Sequence, residues 1–436
     1  MFGIFLGLAV MILLAYKGYS ILWVGPVSAM VVAIFGGLDL LPAYTETYMG
    51  GLVAFVLSWF PMFMLGAIFG KIMEVTGAAR SIAKKLAEII GADKAVLAIV
   101  ISTGIMVYGG ISLFVVVFAV YPISVTLFRE ADLPRRLIPG CIACGAFTFA
   151  MTAFPGSPQL NNIIPSQYFG TNAMSAPVIG ILCGLLMLVL GVLWLNYRAK
   201  KMVAAGEHFD EPSNIEHVDD SADPNPYLSL LPLMVVILVL NLLPNMVELH
   251  NPSTDAIIIA LLCGIASAVL LNIKKAPLCL EALSKGASSS VGATLNTAAA
   301  VGFGSVVKAV PGFAALTAII FGIEASPLVS EAISVTLLAG ATGSSSGGLG
   351  IALAALGEKF VELSAQSGIS LDVFHRVAAI ASGGLDSLPH CGGIITMLIA
   401  CEMNHKKSYL DMCITTCIIP VIACVLAIIL ASIGLC

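Results

Sequence analysis

Residues 327–356 read PLVSEAISVTLLAGATGSSSGGLGIALAAL. The run is apolar at both ends and too long for one bilayer crossing of about 20 residues. Its middle is broken by Gly340-Ala341-Thr342-Gly343-Ser344-Ser345-Ser346-Gly347-Gly348. A second run, Ala95 to Leu127, is broken in the same manner by Met106-Val107-Tyr108-Gly109-Gly110-Ile111-Ser112. In hydrocarbon every backbone N–H and C=O needs a partner, so a broken helix is tolerated only inside protein or beside a wet cavity. Each run reads as two crossings or as one re-entrant hairpin. In the hairpin reading the tips bring helix N-termini to mid-membrane, where free N–H groups and the helix dipole favour an anion. Gly343 to Gly348 is not a nucleotide-binding P-loop, because no Lys-Ser or Lys-Thr follows.

Composition sets the surroundings of these breaks. Of 436 residues, 59% are hydrophobic and 10% charged, with a net charge of −5. Soluble domains carry roughly 25% charged residues, so the chain is an all-α polytopic membrane protein, and its charge argues against a nucleic-acid partner. Ten crossings are expected: Phe2 to Tyr16, Ile21 to Leu41, Gly51 to Ile72, Leu137 to Tyr168, Pro177 to Tyr197, Leu228 to Val247, Ala256 to Ile273, Ser289 to Val307, Val373 to Ala400 and Leu410 to Leu435. The first reads as a retained span, not a cleaved signal. Lys and Arg collect on the cytoplasmic side of membranes. With both termini outside, 17 of them fall on the cytoplasmic side and only Lys308, Lys359 and Arg376 on the other. Gly77 to Asp93 reads as an amphipathic helix along the interface. The eleven cysteines lie mostly in apolar runs, and the lone Cys141-x-x-Cys144 motif implies no metal and no cofactor.

Residues 198–227 form an acidic cytoplasmic linker, with His208 and His217 among solvated acids, and divide the chain into 1–197 and 228–436. Each part has five crossings, a hairpin (about 95–127 and 327–356) and an unwound helix (about 152–162 and 382–390). An odd number of crossings inverts the second part. Residues 64–83 parallel 301–319, and Gly110 to Pro155 spans 45 residues where Gly348 to Pro389 spans 41. Inverted repeats with helices broken at matching positions point to a transporter binding site.

The unwound stretches supply the remaining polar groups. Thr152-Ala153-Phe154-Pro155-Gly156-Ser157-Pro158-Gln159-Leu160-Asn161-Asn162 carries two prolines and frees several carbonyls, while its amides can face a carboxylate or a cation. Ser382-Gly383-Gly384-Leu385-Asp386-Ser387-Leu388-Pro389-His390 holds the acid placed deepest in any expected span, with His390 one helical turn along. Ionisable groups inside a membrane are costly and usually functional. The expected substrate site is Tyr108, Gly109, Gly110, Ser112, Thr152, Ser157, Gln159, Asn161, Asn162, Thr342, Gly343, Ser344, Ser345, Ser346 and Gly347. Asp386, Ser387 and His390 are expected to couple an ion. No Arg or Lys lies in any of the four breaks.

At 64–83 (MLGAIFGKIMEVTGAARSIA), 107–122 (VYGGISLFVVVFAVYP), 153–165 (AFPGSPQLNNIIP) and 382–393 (SGGLDSLPHCGG) the chain resembles the gluconate permease family of the ion transporter superfamily, which includes gluconate, D-serine and 3-hydroxybutyrate permeases. The resemblance covers nearly the whole chain. It implies a homodimeric, inverted-repeat carrier of the bacterial inner membrane, taking up a small hydroxy or amino monocarboxylate with protons by elevator-type alternating access. Where the gluconate carriers have an acid in the first tip and a His beside the Pro-rich break, this chain has Gly109-Gly110 and Ala150-Met151-Thr152. Sodium coupling, a cation antiporter and, more remotely, an intramembrane enzyme are the alternatives. The last would need a nucleophile and base together, and no His-x-x-x-x-Asp or Glu-x-x-His pair is found.

Overall fold

The computed structural model describes all residues except Gly18, 213–222, 316–325 and His390. The expected roles of His390 and His217, and part of the matched segment 301–319, therefore lie outside the described residues. Among the described residues there is no strand. Seven helices among those residues are long and apolar enough to cross a membrane.

The chain opens with α1 (Phe2–Tyr16) and α2 (Ile21–Gly36), started by Ser20, whose hydroxyl accepts the Leu22 N–H. The long α3 (Leu40–Val75) follows. The amphipathic α4 (Ala78–Ile90) buries Ile82, Ala83 and Ala87 and turns the Lys85–Glu88 pair outward. The run expected to be a hairpin or two crossings is a pair of short helices, α5 (Ala95–Tyr108) and α6 (Leu113–Glu130). Then come α7 (Arg135–Ala153), α8 (Leu160–Phe169) and α9 (Pro177–Ala204).

After the linker, α10 (Pro226–Met246) starts at Asn225, whose side chain accepts the Tyr227 and Leu228 N–H groups, with Pro226 at the first helical position. It pairs with α11 (Pro252–Leu271). The helix α12 (Ala276–Ala309) is longer than the expected Ser289 to Val307. Its first turns bury Cys279, Ala282 and Gly286 on one side and expose the Lys285–Glu281 ion pair on the other. A second pair of helices, α13 (Pro327–Thr342) and α14 (Ser345–Ser367), is joined at the Gly-Ser break. The chain ends with α15 (Leu371–Ser382), α16 (Gly392–Ala400) and α17 (His405–Ser432).

Two groups of helices share the core. In one, α3 packs along α12, flanked by α2 and α11, and α1 lies on α2 and α10 on α11. In the other, the two short helix pairs surround α7, α8 and α15, with α9 and α17 packed on each other. Cationic side chains gather where the linker passes. Arg129 pairs with Glu211 (2.6 Å), Arg135 with Asp210 (3.1 Å), Arg136 with Glu207 (2.6 Å), Arg80 with Asp223 (2.6 Å) and Arg198 with Asp411 (2.6 Å). The Arg129 guanidinium holds the Glu211 carboxyl below its usual range, and a hydrogen bond with His208 does the same for Asp132.

Candidate functional site

The four breaks come together, each touching at least one other. At the first tip, Tyr108 Oη donates to the Pro155 carbonyl (2.7 Å) and Gln159 Nε2 to the Val107 carbonyl (2.5 Å). Ser157 Oγ reaches the Tyr108 carbonyl at 3.4 Å. Gly110 sits at φ +96°, and a Cβ there would be 3.0 Å from Pro158 Cγ, so both the backbone and the space require glycine. Gly109 lies against Leu233 of α10. The first tip and the Pro-rich break therefore form one unit.

The other tip turns through Gly343 at φ +59°. Thr342 Oγ1 donates to the Leu338 carbonyl (2.9 Å), and Ser344 Oγ caps α14 by accepting the Gly347 N–H (3.2 Å). Gly348 presses on the Ala339 backbone, leaving no room for a side chain. Ser345 Oγ lies 3.9 Å from Met151 Sδ and close enough to Asp386 to interact with its carboxyl. Ser346 is half-buried. Asp386 is 1% exposed and accepts the Ser387 hydroxyl (2.8 Å). The two unwound stretches meet where Asn161 Nδ2 donates to Ser382 Oγ (2.7 Å), and where Gly383 faces Thr152.

Arg376 departs most from expectation. Its charge was assigned to the outer face, and no cation was expected at a break. The side chain is instead fully buried, beside the Pro-rich stretch. A guanidinium has five N–H donors, and here all five are used. Nε and Nη2 reach the Ser175 carbonyl (3.0 and 2.8 Å), Nη2 also the Ala173 carbonyl (3.2 Å), and Nη1 the Ala153 carbonyl (3.2 Å) and Asn162 Oδ1 (2.8 Å). The unwound chain supplies the acceptors that make this burial affordable. Asn162 is consumed in the process, since its Nδ2 also bonds the Ser157 and Ala173 carbonyls. Asn161 keeps its carbonyl oxygen for another partner.

A cavity of about 750 Å³ opens between the two helix groups. One wall is Gly110, Ser112, Pro158 and Gln159; the other is α3 and α11 with Ser289, Ser290 and Asn296 of α12. Lys71, Glu74 and Lys285 also line it. Of the expected site residues, Gly110, Ser112 and Gln159 reach this space. Thr342 to Gly347 and Asp386 do not line it. The polar residues of α12 were missed, although Asn296 inside an apolar span is a signal of the kind that marked the other breaks.

Comparison with known proteins gives the family and the fold. The model of the GntP family permeases matches residues 1–336. An uncharacterized transporter, YxjC of Bacillus subtilis, is 38% identical over 442 residues, covering 94% of both chains. An uncharacterized transporter of Haemophilus influenzae is 24% identical, covering 74% of this chain and 73% of its own. In fold, the chain is similar to the YdaH transporter of Alcanivorax borkumensis, with a TM-score of 0.58 at 15% identity over 91% of this chain and 90% of that one. The chain belongs to the GntP family of permeases, and is a multi-pass membrane transporter rather than an enzyme.

Proposed function

We propose that the protein is a secondary symporter that imports a small organic monocarboxylate, of the gluconate or 3-hydroxybutyrate kind, together with protons. The observation that carries the reading is the cavity, which leads from Lys71 and Lys285 to the polar first tip and the Pro-rich break. Lys71 and Lys285 are each ion-paired there, with Glu74 (2.5 Å) and Glu281 (2.6 Å), so they add no net charge, and the preference for an anion rests on the helix end that the cavity reaches. At its end, no side chain caps the N-terminus of α6, so the Ser112 hydroxyl and the first N–H groups of that helix remain available to a carboxylate. The apolar share of the wall suits the carbon skeleton of a small acid.

In this reading the chain consists of two inverted repeats, 1–197 and 228–436, with both termini periplasmic, and the cavity opens to the cytoplasm. Substrate binds among Gly110, Ser112 and Gln159, with the buried Ser157 and Asn161 behind them, and Ser344 to Ser346 meet it when the opposite side opens. Asp386 and Ser387, with His390, couple the proton. The group holding the four breaks slides against the group built on α3 and α12, in a homodimer joined through outer helices in the bacterial inner membrane. Uptake of labelled 3-hydroxybutyrate and gluconate into proteoliposomes tests it. Accumulation of one acid is expected under an inward proton gradient, with none when the gradient is collapsed. Accumulation that follows an imposed sodium gradient and ignores pH would replace the proton, and no uptake under either gradient would end the symporter reading.

A further inference from the structure

Glu331 lies one turn into α13 and is 0% exposed, yet neither of its carboxyl oxygens has a hydrogen-bond partner. Nearby hydroxyls do not serve it: Ser334 spends its own on the Ser330 carbonyl (2.7 Å). The elements packed on α13 are α1, α14, α15 and α17. Among the described residues, α1 brings no charged side chain. On α14, Glu358 is exposed and Lys359 is paired with Glu362. On α15, Asp372 is exposed, His375 bonds Thr171 (2.7 Å) and Arg376 is saturated. On α17, His405 bonds the Pro389 carbonyl, Lys406 and Lys407 are exposed, and Asp411 is paired with Arg198. Tyr409 bonds the Ser387 carbonyl, Cys413 and Cys417 are free thiols, and the thiol of Cys424 lies within electrostatic reach of Glu331.

Among the described residues, an ionised carboxyl in this position has neither a donor nor a counter-charge, so the group is carried here as the neutral acid. A neutral acid that makes no bond does nothing for packing that an apolar side chain would not do better. What distinguishes it is the ability to lose a proton when its surroundings change. Its helix is tied to the fourth break, because Thr336 Oγ1 donates to the Ala381 carbonyl (2.9 Å) and Gly340 lies over Leu385. Movement of that break therefore moves Glu331.

Resting on the symporter reading, we propose that Glu331 is a proton-binding site of the transport cycle, filled while α13 is seated as here and emptied to water when the hairpin shifts. The O–H bond of the acid breaks, water takes the proton, and the carboxylate is re-protonated before α13 seats again. Infrared spectra of the protein in liposomes at neutral pH read this proton directly. In wild-type minus Glu331→Gln difference spectra, which cancel the lipid ester carbonyls and any proton on Asp386, a carboxylic-acid C=O band is expected, and it is expected to persist when both proteins also carry Asp386→Asn. Identical wild-type and Glu331→Gln spectra overturn the proposal, whether or not the vesicles transport anything.

Labelled 3-hydroxybutyrate and gluconate then test coupling. Glu331→Gln is expected to exchange labelled for unlabelled acid at close to the wild-type rate. Under a gradient of about one pH unit, its accumulation should fall to unity from the roughly tenfold that one proton per substrate sustains. Undiminished accumulation overturns the proposal. Should Glu331→Gln also lose exchange, Glu331→Asp decides, since recovered accumulation supports a proton role and continued loss refutes it. Wild-type vesicles that neither exchange nor accumulate either acid defeat the symporter reading, and the infrared band still decides whether Glu331 holds a proton.

Discussion

The two hairpin tips are built from similar small residues but are treated differently by their surroundings. At Tyr108 to Ser112 the following helix begins without a side-chain cap, and the tip lines a cavity of about 750 Å³. At Thr342 to Gly347 the following helix is capped by Ser344, and the tip is closed in by Met151 and Asp386. Sequence similarity between two breaks thus says little about which one a solute can reach. Access depends on what packs over each tip, and the first has a space between helix groups in front of it.

The contrast breaks altogether if the support beside the Pro-rich break is removed. Replacing Arg376 by Met leaves the carbonyls of Ala153 and Ser175 and the side-chain oxygen of Asn162 without this donor, at about 1–3 kcal/mol for each unsatisfied group. We expect a clearly lowered unfolding temperature in detergent, with Arg376→Lys falling between, because an ammonium offers three donors where the guanidinium offers five. An unchanged melting curve for Arg376→Met would mean that these bonds do not hold the unwound chain.

A smaller and more selective effect separates the tips themselves. With Cys436 replaced by Ser, a polar thiol reagent should modify Ser112→Cys quickly in inside-out vesicles and Ser345→Cys far more slowly. Equal rates would erase the distinction. The smallest effect concerns the ends of the first hairpin, which the linker straps through Arg129–Glu211 and Asp132–His208. The carboxyls of Glu211 and Asp132 are both held below their usual range by these partners. A depressed folded-state value stabilises the strap above the ordinary carboxylate pKa of about 4 and loses it as pH falls through the folded value. Proteolysis within 205–212 should therefore rise only below about pH 4, and a rise already near neutrality would assign the strap to other contacts.

Much of this was legible from residue order. Gly109-Gly110 and Gly343 to Gly348 marked both helix pairs, and the alternation of Ile82, Leu86 and Ile89 with Arg80, Lys84 and Lys85 marked the amphipathic α4. The sequence also indicated that the breaks hold polar groups. It did not reveal Arg376, because a rule that sorts cations by membrane side has no means of foreseeing four acceptors assembled from 153, 162, 173 and 175. Glu331 was overlooked for a related reason: it lies outside the break itself, and its isolation is a property of four neighbouring helices. Likewise, Asn296 becomes part of a cavity wall only when α12 stands opposite Gln159, more than a hundred residues away in the chain.

Arg376 has one more consequence. Every hydrogen it could offer is already committed, so in the symporter reading its charge draws an anion toward the Pro-rich stretch without being able to grip it. Such a long-range pull hastens arrival yet adds no bond that has to be broken on departure, which suits a protein whose task is to let its cargo go.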